Sequence, residues 1–81
     1  MDAFQEVVGA QTIEELDAIV RRCIEDQGLK LVVGLSYIEN AEHFRQCMHQ
    51  APAHCVQQKM ITCAILMAAH TRWLALHEAE S

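Results

Sequence analysis

From Pro52 onward the sequence has no glycine, no second proline and no cluster of turn-forming residues. Nothing there stops a helix once it has begun. Basic residues are also scarce. Six lysines and arginines stand against eleven acidic residues, for a net charge of −5, and only Arg21 and Arg22 are adjacent. Nucleic-acid binding needs a basic stripe to neutralise phosphates, and none is present. Docking on an anionic membrane surface is disfavoured for the same reason. No apolar run approaches the ~20 residues of a membrane span. The opening MDAFQEVVGA lacks the basic region and continuous apolar core of a signal peptide. A soluble, cytoplasmic protein is expected, with Cys23, Cys47, Cys55 and Cys63 as reduced thiols.

Catalytic patterns are missing as well. There is no phosphate-binding loop, no glycine-rich oxyanion loop, and no paired CxxC. Small-molecule sites are concave and bury most of their ligand. A chain of 81 residues has little left over to build one. The expectation is no enzyme and no cofactor.

What is present is apolar surface, at 52% of residues. A chain this small buries only roughly 60% of the surface exposed when it is unfolded. Small chains usually close that gap with disulfides, a metal or oligomerisation. The apolar surplus points to a helical dimer, or to an obligate partner protein.

The elements read as all-α: a small three-helix domain, 1–81, made of an N-terminal helix and a helical hairpin. Asp2 to Val8 is short and mildly amphipathic, enough for a helical turn or two. The first helix spans about 12–27. It starts at a capping box, Thr12-Ile13-Glu14-Glu15, and carries Ile13, Leu16, Ile19, Val20, Cys23 and Ile24 as one stripe. Gly28 ends it, with Leu29 folding back on Ile24. The second helix is expected over about 30–50, through Leu31, Leu35, Ile38, Ala41, Phe44 and Met48, with Gly34 a weak point. The alternative is a strand over 29–35 followed by a helix capped at Ser36-Tyr37-Ile38-Glu39. Val7-Val8-Gly9 and Val32-Val33-Gly34 echo one another in spacing, which reads as coincidence rather than as a repeat. Pro52 opens the third helix, about 53–79, whose centre MITCAILMAA is apolar nearly all round except at Thr62.

That last helix shows two seams. Val56, Met60, Cys63, Met67, His70, Leu74 and His77 form one, and Ile61, Ile65, Ala68, Arg72 and Leu76 the other. Two seams imply two partners: the protein's own helices, and a second copy or another protein. The partner-binding residues expected from this reading are Met60, Ile61, Ile65, Met67, Trp73 and Leu76. Methionine suits adaptable surfaces, and aromatic residues concentrate at interface hot spots. The function this implies is a non-enzymatic interaction module: an adaptor, a small chaperone, or an inhibitor of a regulator. The competing reading is a metal- or redox-responsive regulator. His43 and Cys47, four apart on one helix face, and His54 and Cys55, just past the hairpin turn, contain the donor types of a tetrahedral zinc site. Their spacing matches no established ligand pattern.

Overall fold

The computed structural model describes residues 3–50 and 52–80, leaving aside the side chains of His54, Cys55 and Glu80. Four helices follow in order: α1 (Ala3–Gly9), α2 (Ile13–Asp26), α3 (Tyr37–Met48) and α4 (Ala53–Glu80). No strand occurs among the described residues. The short N-terminal segment is thus a helix of its own, and the expected three become four. The expected start of that segment at Asp2 lies outside the described residues, and the second helix, expected to run to about residue 50, ends at Met48.

Helix α4 sets the dimensions. Its 28 residues run about 42 Å at 1.5 Å per residue, matching the molecule's longest extent of 41 Å. Among the described residues it is the one element that packs against all three others. The core collects Val7 and Ala10, then Leu16, Val20 and Ile24 of α2, Ala41 and Phe44 of α3, and Ile65, Leu66, Ala69 and Leu76 of α4. Polar contacts fix how α4 is rotated among its neighbours. Arg72 donates from Nε and Nη2 to the Ala10 carbonyl at 2.8 and 2.6 Å, just beyond the C-terminal end of α1, where a cation is favoured. The Thr62 hydroxyl lies 2.7 Å from Gln27 Oε1, and Gln58 Nε2 donates to the Gln27 carbonyl. The end of α2 is therefore pinned to α4 by side chains one turn apart.

The ends of α2 follow the local chemistry. Thr12 Oγ1 accepts from the Glu15 amide at 3.0 Å, and Glu15 Oε2 takes the Gln11 amide at 3.4 Å. At the other end Gly28 has φ +75°, which only glycine adopts cheaply. Its amide bonds the Glu25 carbonyl, and the Leu29 amide reaches the Ile24 carbonyl. This is the two-bond ending in which the chain reverses over the last turn.

The expected helix over 30–50 is corrected. Residues 29–36 form an irregular segment, and helix begins only at Tyr37. Two physical causes explain this. Gly34 has φ +91° at the third position of a turn closed by the Leu35 amide on the Val32 carbonyl, the geometry of a turn that demands glycine there. Asn40, 2% exposed, then binds the segment from inside. Its Oδ1 accepts from the Val32 amide at 2.7 Å, and its Nδ2 donates to the carbonyls of Leu35 and Ser36. Those contacts satisfy backbone groups that a helix would have satisfied within itself. The Ser36 cap of the alternative reading is present, with Ser36 Oγ accepting from the Glu39 amide at 3.2 Å, but no strand precedes it. The Val-Val-Gly echo dissolves too: Val7 is buried in α1, whereas Val33 is 91% exposed in the turn.

Candidate surface on helix α4

Because α4 is apolar nearly all round, its exposed side carries hydrophobic residues. At 100° per residue, Met60, Ala64, Met67, Thr71 and Leu74 fall within about 40° of one line. All are exposed, with Met60 at 58%, Met67 at 48% and Leu74 at 44%. Ile61, at 43%, flanks this line. Thr62, Ile65, Leu66 and Ala69 lie opposite and are buried.

The structure divides the expected partner set. Met60, Ile61 and Met67 are open to solvent. Ile65 and Leu76 are 1% and 7% exposed and belong to the core, so neither is available to a partner while the fold is closed. The core line runs between the two seams seen in the sequence, through Thr62, Leu66 and Ala69, and takes Ile65 and Leu76 from one of them. Leu74 belongs with the outer residues and was absent from the expected set. Its spacing of seven from Met67, and of fourteen from Met60, was the signal.

Trp73 takes a different place from the one expected. It is half-buried against the core, and its indole runs parallel to two imidazoles. The ring centroid of His77 is 4.8 Å away and that of His70 is 6.4 Å, with interplanar angles of 6° and 8°. Both stacking partners come from its own helix.

The cysteines divide likewise. Burial pushes the Cys63 thiol up from its ordinary value, with Arg45 and Lys59 acting the other way, and its Sγ lies 3.3 Å from the Ala41 carbonyl. Burial also raises Cys23, and the Glu6 carboxylate 3.8 Å away adds to the effect. Thiols held protonated are weak nucleophiles. Cys47 Sγ sits 3.9 Å from His43 Nε2 on the outer side of α3. Among the described residues no group of three or more His, Cys, Asp and Glu is placed to hold a metal. The side chains of His54 and Cys55, the other half of the expected quartet, lie outside the described residues.

The exposed side chains of this surface offer dispersion and desolvation. Among the described residues no helix is long and apolar enough to cross a membrane. Comparison of the chain with protein-family models, curated proteins and solved structures finds no match.

Proposed function

We propose that this chain is a non-enzymatic protein-interaction module that pairs with a second copy of itself through the outer face of α4. The observation that carries the reading is the line of Met60, Met67 and Leu74, flanked by Ile61, all standing open on a helix whose other side is the core. The stripe is also matched to its own reverse. In an antiparallel pair centred between Met67 and Ala68, Ile61 faces Leu74 of the other copy, Met60 faces Ala75, and Ala64 faces Thr71. Each large side chain then meets an apolar or small one. Contact along this stretch buries on the order of 1,200 Å² in total, the lower edge of the range for stable interfaces. Such a pair serves as an adaptor or as a small chaperone or inhibitor that masks another protein's apolar surface.

The test is sedimentation equilibrium of the chain and of Met67→Glu. The expected outcome is a dimer that becomes a monomer in the variant, with helical content unchanged because Met67 is not in the core. A wild-type chain that stays monomeric at every concentration overturns the reading. The second reading, a metal-responsive regulator, has the His43–Cys47 approach in its favour. Zinc that raises the melting temperature of the wild type but not of Cys47→Ser would promote it.

A further inference from the structure

A second recessed surface lies away from the outer face of α4. The irregular segment 29–36, one side of α2, and Trp73 and His70 of α4 line a groove of about 430 Å³. This volume falls within the range that holds a small ligand or a few side chains. Its apolar lining comes from Ile13, Leu31, Val32, Leu35 and Trp73. The wall is built in advance. Asn40 holds the segment by three or more hydrogen bonds from inside, and the Gly34 turn fixes its bend. A ligand entering a pre-formed groove does not have to order the loop, which lowers the cost of binding. Val32, Val33 and Leu35 nonetheless stand 37%, 91% and 39% exposed around its mouth. Three large apolar side chains open beside an apolar recess are a surface that the chain does not cover itself.

Charge narrows the occupant. The side of α2 facing the groove carries Glu14, Asp17 and Arg21. Asp17 is fully engaged: Oδ2 takes Arg21 Nε at 2.7 Å, and Oδ1 takes the Tyr37 hydroxyl at 2.8 Å. Glu14 is in no ion pair among the described residues, so it is the uncompensated charge at the rim. The net charge of −5 acts in the same direction at longer range.

We infer that this groove binds a segment of another protein that presents an apolar side chain with a lysine or arginine beside it, the apolar group seated against Leu31 and Trp73 and the cation facing Glu14. In an extended segment residues two apart share a face, so an apolar residue followed two positions later by the cation presents both groups to the groove. The site is separate from self-pairing, since Glu14, Leu31 and Val32 lie off the outer face of α4.

The test is a chemical-shift titration of the isotope-labelled full chain with the capped peptide acetyl-Leu-Ser-Lys-amide and its counterpart acetyl-Leu-Ser-Glu-amide. It is run in parallel on wild type and on Met67→Glu, so that failure of pairing and failure of the groove are read apart. The lysine peptide is expected to move the Trp73 indole, Leu31 and Val32 resonances in both proteins, and to bind about threefold to tenfold more tightly than the glutamate peptide. Glu14→Lys, at an exposed position, should reverse that order. Three outcomes overturn the inference: no movement at the groove, equal response to both peptides, or movement centred on Met60 and Met67. So does a concentration-dependent shift of the groove resonances without peptide, because a second copy is then the occupant.

Discussion

The two sides of α4 differ little in hydrophobicity, yet one is the core and the other meets solvent. The inner line of Thr62, Ile65, Leu66 and Ala69 and the outer line of Met60, Ala64, Met67, Thr71 and Leu74 are each apolar but for a single threonine. What selects the inner side is complementarity. Thr62 meets the Gln27 side chain, and Arg72, at the edge of that side, meets the Ala10 carbonyl. Turning the helix by half a revolution would carry Thr62 and Arg72 to solvent and leave the Gln27 side chain and the Ala10 carbonyl without these partners. An unpaired buried polar group costs about 1–3 kcal/mol, enough to decide between two rotations of similar apolar content. Apolar area thus drives α4 into the fold, and a few hydrogen bonds decide how it is turned.

Substitution can break this contrast or sharpen it. Leu66→Ala should destabilise by about 2–5 kcal/mol, because it empties a fully buried site, whereas Met60→Ala should stay within about 0.5 kcal/mol. Urea denaturation of both variants checks the pair, and equal losses would mean that the two sides are not distinct. Arg72→Met keeps the aliphatic stem but removes the charged donor from the Ala10 carbonyl, at an expected cost of about 1.5–3 kcal/mol. Hydrogen exchange should then quicken in α1 ahead of α3. Thr62→Val preserves shape and deletes the hydroxyl, with a loss of about 1 kcal/mol in thermal melts. If it proves neutral, rotation of α4 is set elsewhere.

The smallest effect comes from alkali. Cys63 and Tyr37 are both held above their ordinary values of 9.0 and 10.0, in each case chiefly by burial, with the Asp17 carboxylate adding to the effect on Tyr37. A raised native pKa means that each contributes fully while its ordinary value still exceeds the pH, and loses that contribution as pH climbs through the native one. The melting temperature should therefore hold up to about pH 9 and decline above it, and Tyr37→Phe should flatten the decline above pH 10. A profile that is flat for both proteins would remove these groups from the account.

Local signals in the sequence matched the fold where they were closed within a few residues. The Thr12 and Ser36 caps and the Gly28 ending each involve a donor and an acceptor at most five positions apart, and all three are found. The 29–36 segment was misread as helix because its decisive residue, Asn40, reads as an ordinary helical position until its amide is seen turned inward. The sides of α4 were misassigned for a related reason. With hydrophobic residues all round, periodicity carries no direction, and the polar groups that supply it lie 35 residues away for Thr62 and Gln27, and 62 for Arg72 and Ala10. The groove was not legible at all, since its walls come from α2, the 29–36 segment and α4.

The position of α4 in the chain also has a consequence for biosynthesis. The helix that touches every other element is the last of the four to be translated. Until it emerges, α1, α2 and α3 lack the surface on which their apolar sides meet, and the Ala10 carbonyl waits for an arginine 62 residues downstream. At about 5–20 residues per second, α1 leaves the ribosome seconds before its principal contacts exist. For that interval α1 and α2 have only one another to pack against, and Val7, Leu16, Val20 and Ile24 lack the α4 side of the core.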